Sequence, residues 1–392
     1  MAQTDAGPIV YSNPKMKAAF DLVNAERTAA GLGVVRQAAA LDAAADVQSN
    51  YLGLNNDLDA GVTQDPSRNA FTAATTAARL ATAGYAGSAR ETAVSFQRGA
   101  VEGVGALLAA PYQRLALLQH GALEMGLGYV EPGATRPVGA APVVANPVFA
   151  TLVATAGVRT SAAPQGLRNN ALDASSVYPP AGAEVPTIMF KEVPNPVAAE
   201  VGPWGRGAFP GYPVSVQVLD NQTLTVALFT LTRVTPAPRV AVSVKLLDQN
   251  DSTFFKPNNV KNWATLVPLL PLEVGATYEA TFAGTAGAFN IARVWQFTTR
   301  SGFGGAPTVQ REVGARSFTV TYKPPSGLLD QASIPPSTLG CGAGYSVTPR
   351  VGLQTVTLVE SGTSPLAGCA IELSVIDLGT GLSDLSRRIT VP

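Results

Sequence analysis

The chain has 392 residues, which at roughly 150 residues per domain corresponds to about two to three domains. Charged residues are only 14%, against a usual ~25%, and 27 Lys+Arg balance 27 Asp+Glu, so the sequence lacks the basic excess of a nucleic-acid binder or a polybasic membrane-surface protein. One His, His120, and two Cys, Cys341 and Cys369, exclude a His-rich metal site, a four-cysteine zinc site and a two-His relay, and any Ser-His-Asp triad would have to use His120.

Residues 1–157 are Ala-rich and read as helices followed by strands. Asn13-Pro14 is a helix start, with Asn as N-cap and Pro at the first position. Met16, Phe20, Val23 and Arg27 recur behind it at helical spacing, and Gly31 and Gly33 close the element. A second helix is predicted from Ala38 to Leu54, a third from Thr75 to Ala83, a fourth from Ala93 to Leu108, and a short fifth from Pro111 to just before Gly121. Glu124 to Glu131 and Val148 to Thr155 read as strands. Ala140 to Val158 comes nearest to a membrane span, but Pro142, Asn146 and Pro147 break it, which favours strands and a turn.

Residues 158–180 have linker composition. From 181 to 300, short alternating runs such as Val214 to Val218, Thr223 to Leu228, Arg239 to Leu246, Thr277 to Phe282 and Val294 to Thr299 lie between Gly/Pro/Asn turns, which reads as an immunoglobulin-like sandwich. Asp248 to Ser252 reads as a hairpin turn. Ser301 to Gly305 is a hinge composition, and residues 306–392 repeat the strand pattern as a second small sandwich. Cys341 and Cys369, 28 positions apart in that segment, read as a disulfide and hence an oxidising compartment; the alternative is two buried thiols. Met1 to Asp5 has neither the basic nor the apolar part of a signal peptide, so either there is none or the sequence is a mature form with an added Met.

The N-terminal region resembles the CAP superfamily in its bacterial SCP-like branch. The resemblance is carried by Leu22-Val23-Asn24-Ala25-Glu26-Arg27, by Ala40 to Ala45 leading to Tyr51-Leu52, by Ala83-Gly84-Tyr85, by Ala110-Pro111-Tyr112-Gln113-Arg114-Leu115, and by Met125-Gly126-Leu127-Gly128-Tyr129. The region from Tyr178 to Thr299 resembles the Ig-like domain that follows some bacterial SCP-like domains, through Tyr178-Pro179, Glu192-Val193-Pro194-Asn195-Pro196 and Trp295-Gln296-Phe297-Thr298-Thr299. Together these imply an α+β chain: a CAP-like α-β-α sandwich followed by two small all-β sandwiches.

The resemblance also implies a cleft with two histidines and acidic residues, able in some members to hold a divalent metal. Here Gln48 and Gln113 stand at the histidine positions, and only Glu91 survives of the acidic motif, in Arg90-Glu91-Thr92. A glutamine offers no imidazole nitrogen and does not titrate near neutrality. The expectation is a degenerate CAP domain with no metal, no cofactor and no catalytic residue. Gln48, Glu91 and Gln113 remain as a candidate ligand cleft, set against amides satisfied by backbone and a Glu91–Arg90 ion pair. His120 reads as a residue at a helix C-terminus, favoured there by the dipole. Asp57 and Asp59 lack EF-hand spacing and read as a polar loop. Trp204, in a Gly-rich loop, is a candidate surface contact for sugar or partner, whereas Trp263 and Trp295 read as core.

These readings combine into a non-enzymatic secreted or surface-exposed structural protein that self-assembles as a homo-oligomer or joins another extracellular protein, without nucleic acid or transmembrane segment. The runner-up is an extracellular binding protein with an apolar, lipid-like or glycan ligand in the CAP cleft. The segment Pro8 to Tyr11 could pair with a neighbouring subunit's sheet edge.

Overall fold

Asn13 opens the first helix as its residue type dictates: its side chain accepts from Lys15 N at 2.9 Å, with Pro14 in the first turn. A computed structural model describes residues 7, 9–55, 61–97, 99–131, 133–138, 141–145, 150–159, 175–190, 192, 194–202, 210–273 and 275–299, together with seven strands beyond residue 300. In chain order the first part holds α1 (Pro14–Ala29), β1 (Arg36–Gln37), α2 (Ala39–Leu54), α3 (Thr76–Thr82), β2 (Gly87–Gln97), α4 (Ala100–Leu108), α5 (Arg114–Leu118), β3 (Glu124–Val130), the hairpin β4 (Thr135–Val138) and β5 (Ala141–Val144), and β6 (Ala150–Arg159). Thr75 caps α3 by accepting from Ala78 N at 3.2 Å.

One sheet in the order β1-β3-β6-β2 organises this part, parallel only between β1 and β3. Two glycines fix what covers it. A Cβ on Gly126 would lie 2.1 Å from the Leu41 and Asp42 backbone, and one on Gly128 would lie 2.1 Å from Ala45 O. The backbone of α2 therefore rests directly on β3, and the face carrying residues 126 and 128 belongs to α2. Leu80 and Tyr85 join Leu41 and Ala44 in a cluster there, which places α3 beside α2. On the reverse face Gly103 of α4 abuts Leu152 of β6. Arg27 of α1 binds Leu117 O of α5, so these helices share the second layer. The result is helix, sheet, helix.

The second part comprises β7 (Ser175–Tyr178), β8 (Glu184–Val185), β9 (Val214–Val218), β10 (Leu224–Thr235), β11 (Val240–Ala241), β12 (Val244–Leu247), β13 (Trp263–Pro268), β14 (Thr277–Ala286) and β15 (Phe289–Thr299). They form two antiparallel sheets, β11-β10-β14-β15-β8 and β12-β13-β9-β7. In the first sheet the buried residues alternate: Phe229 and Leu231, then Tyr278, Ala280 and Phe282, then Trp295 and Phe297. In the second, every residue of β9 and β13 is buried. That loss of alternation has a cause: one face packs on the first sheet, while the other meets the α1/α5 layer, where Gln217 Nε2 donates to Leu118 O at 2.5 Å. Residues 7–272 and 277–298 thus belong to one compact unit.

The remaining unit, 273–276 with 299–392, holds β16 (Thr308–Arg311), β17 (Ser317–Thr321), β18 (Gln331–Ser333), β19 (Tyr345–Thr348), β20 (Thr355–Glu360), β21 (Ala370–Asp377) and β22 (Leu382–Thr390). They make the sheets β16-β17-β20-β19 and β18-β21-β22.

Several expectations need correction. Ala93 to Leu108 is not one helix, since Ala93-Val94-Ser95 lies in β2, paired to β6, and the helix begins at Ala100. Both ends of the expected linker, 158–180, are strand. Asp248 to Ser252 lies in a longer connection, 248–262, between the paired strands β12 and β13. Asp57, Asp59, Trp204, Cys341 and Cys369 lie outside the described residues.

Candidate functional site

Gln48 projects from α2 and is fully buried. Its Nε2 donates to Gly61 O at 2.6 Å, and its Oε1 accepts from Gln64 Nε2 at 2.9 Å. Gln64 Oε1 in turn accepts from Thr72 N at 2.8 Å and Ala73 N at 3.3 Å. A glutamine on a core stripe is used here to fasten the chain from 61 to 73 onto the helix.

Glu91 closes the same network from the sheet. Opposite Thr155 in register, it faces the α2 side, where Arg79 of α3 sends Nη2 to both of its oxygens at 2.9 and 3.0 Å. Both side chains are 1% exposed. Arg79 also donates to Val62 O at 2.7 Å and Ala73 O at 3.1 Å. Burial pushes the Glu91 carboxyl above its usual range, and the Arg79 guanidinium opposes that rise. The partner is therefore Arg79 and not Arg90. Neighbours on a strand point to opposite faces, so Arg90 and Glu91 cannot share one.

Gln113 stands apart from these two. It precedes α5 in the opposite helical layer, and its backbone N, at 3.3 Å, and that of Tyr112, at 2.8 Å, both donate to Glu192 Oε2. Glu192 is 1% exposed. Gln113 Oε1 is buried and accepts no hydrogen bond from the described residues. The three residues expected to share a cleft are thus split, with Gln48 and Glu91 on the α2/α3 side and Gln113 where the helices meet the β-sandwich.

That junction holds the residues the sequence did not announce. Arg114 is fully buried, donating from Nη1 to Pro213 O at 3.0 Å, with its guanidinium 4.9 Å from the Tyr178 ring centre and 5.3 Å from that of Tyr212. The Tyr112 ring stacks on Phe254 at 4.4 Å, and its hydroxyl donates to Asp251. Arg27 donates to Gly33 O, Leu117 O and Gln119 O at 2.8, 2.7 and 3.0 Å, and burial lowers its pKa to about 10. One signal for Arg27 was available: a guanidinium at a core position of the α1 stripe.

His120 follows α5, as expected, but carries no charge for the helix dipole. Burial and Arg27 push its pKa down to about 4, and its Nε2 shares a 3.1 Å hydrogen bond with Ser176 Oγ. Arg27 occupies the carbonyls at that helix end instead. Trp263 and Trp295 are 2% and 6% exposed; Trp295 packs on Phe229 inside the sandwich, whereas Trp263, opposite Gln217, lies on the β13 face that meets the helical layer. The segment before α1 docks on its own chain: Val10 N donates to Gln37 Oε1 at 2.7 Å, and the Tyr11 hydroxyl donates to Asp42, whose Oδ1 also accepts from Leu127 N at 2.9 Å.

No family model matches the chain, and no curated protein matches it. Among solved structures it is similar to a two-domain fibronectin type III segment from chicken tenascin, at 16% identity over 46% of this chain and 92% of that one, with a TM-score of 0.17. It is also similar to an endo-fucoidan hydrolase of glycoside hydrolase family 107, at 11% identity over 78% and 42% of the two chains, with a TM-score of 0.18. Scores this low carry no fold or activity across. Among the described residues no helix is long and apolar enough to cross a membrane. No cluster of three or more His, Cys, Asp or Glu there could hold a metal ion.

Proposed function

We propose that this chain is a non-enzymatic structural protein of the cell exterior, built on a CAP-like domain without its metal cleft and extended by Ig-like sandwiches. The observation that carries the reading is how Gln48 and Glu91 are spent. Both oxygens of Glu91 accept from Arg79, and both ends of the Gln48 amide hold the 61–73 segment. A general acid must present its proton to a substrate, and a ligand cleft must present unsatisfied polar groups. Here the same side chains act as internal ties. The sheet between two helical layers agrees with the CAP resemblance. Strand orders β12-β13-β9-β7 and β11-β10-β14-β15-β8 parallel the two sheets of an immunoglobulin-type sandwich. The external location rests on low charge and the cysteine pair of the sequence. A lipid-like or glycan ligand in the CAP cleft would first have to displace the Gln64 and Arg79 contacts, which places that reading second.

The test is the absolute mass of the full chain across a concentration series, by light scattering coupled to size exclusion. A defined oligomer or growing polymer is expected. A 40.3 kDa monomer at every concentration would overturn self-assembly.

A further inference from the structure

The sheet β1-β3-β6-β2 has two edges, and they are finished differently. β1 covers only Glu124 and Met125 of β3. Beyond it the Leu127 N–H is taken by side chains, donating to Asp42 Oδ1 at 2.9 Å and the Tyr11 hydroxyl at 3.1 Å. At the other edge β2 pairs on one side alone, with β6. The register shows which of its main-chain groups face outward. Gly157 O accepts from Leu123 N at 3.1 Å, so Gly157 turns its main chain toward β3. Ala89 stands opposite Gly157. It therefore turns its own N–H and C=O away from β6, and two residues on Glu91, opposite Thr155, does the same. No described residue hydrogen-bonds to any of these four groups. Glu91 is half-buried although its side chain is 1% exposed, so the part open to solvent is its main chain. Gly87 to Glu91 also lacks the usual guards of an edge, a proline, a lysine or a bulge, since the shift in register comes later, between Val94 and Gln97.

An antiparallel edge is complementary to a copy of itself turned about a two-fold axis. Centring that axis on Arg90 would set two guanidinium groups directly opposite, which is unfavourable. Centring it on Glu91 would require the main chain of Ala93, which is buried. Centring it on Ala89 pairs Ala89 with its own copy and sets the Gly87 carbonyl against the Glu91 N–H of the second copy. It also puts Arg90 opposite the Ser88 hydroxyl, and Ser88 is exposed.

We infer that the free edge of β2 is the surface through which two copies of this chain pair, antiparallel about Ala89, so that two four-stranded sheets become one continuous sheet. The inference rests on the self-assembly proposed above and names its surface. Light scattering coupled to size exclusion, across a concentration series of the full chain and three variants, tests it. Ala89→Pro removes the N–H that faces the second copy and leaves the ladder to β6 intact. Two hydrogen bonds are lost across the axis, so the dimer is expected to weaken about tenfold or more while the melting profile is kept. Ser88→Arg places like charges opposite each other and is expected to weaken the dimer, whereas Ser88→Glu, facing Arg90 of the second copy, is expected to tighten it. Assembly that is indifferent to all three substitutions would overturn the β2 edge and leave the structural reading standing. A monomer at every concentration of the unaltered chain would overturn both. If Ala89→Pro does not fold, the opposite shifts of the two Ser88 variants decide alone.

Discussion

His120 is the chain's single imidazole, so its titration can be followed without assignment. Its ordinary pKa of 6.5 falls to about 4 in the folded protein through burial and the neighbouring Arg27. Between those values the unfolded chain holds the extra proton. Stability from this group is therefore complete above pH 6.5 and is lost as the pH falls toward 4, by up to about 3 kcal/mol. Glu26, raised by burial and bound by the Tyr178 hydroxyl, works in the opposite sense, since the folded state takes up its proton first. The readout should therefore be the imidazole proton resonance and not a bulk acid melt. A midpoint well below 6.5, near 4, is expected; one at 6.5 would mean that the ring is solvated. The position of His120 was legible in the sequence. Its lack of charge was not, because the causes are burial by the surrounding fold and Arg27, supplied by α1.

At the scale of elements, the sheet and α2 touch through glycine. Gly128→Ala would drive a methyl into Ala45 O, where the obstacle is helix backbone that cannot rotate away. A loss of about 3 kcal/mol or more is expected in urea unfolding, at the upper end of overpacking costs. Gly61→Ala, which meets nothing within 4 Å, should leave the midpoint unchanged. Equal behaviour of the two variants would mean that α2 does not rest on β3 as described. Sequence pattern revealed α1, α2 and α3 within one or two residues, because caps and apolar spacing are local. It failed at β2, where Ala-rich composition favoured a helix and pairing with β6 imposed a strand. As part of this strand, Arg90 and Glu91 point to opposite faces, which removes the expected ion pair between them. β13 escaped notice because it is buried along its whole length and shows no alternation.

At the scale of the molecule, the helical layers and the sandwich share buried polar groups. Glu192 holds the Tyr112 and Gln113 backbone, and Arg114 lies against Tyr178 and Tyr212. A chain of residues 1–159 would leave Arg114 and the α5 surface without these partners, and stranding a buried charge costs about 3–5 kcal/mol. Such a fragment is expected to melt well below the full chain, or without a sharp transition, in circular dichroism. A fragment matching the parent's first transition would contradict the shared core. None of this was readable locally, since Glu192 and Gln113 are 79 positions apart. The order in which the ribosome makes the chain adds a consequence. Arg114 is synthesised about a hundred residues before Pro213 and Ser215, its acceptors. Until those residues emerge, the nascent N-terminal layers hold a charge with nowhere to settle. Completion of the first domain must therefore wait on translation of the second, and a pause or truncation between residues 160 and 213 would strand an unfinished surface in reach of chaperones and proteases.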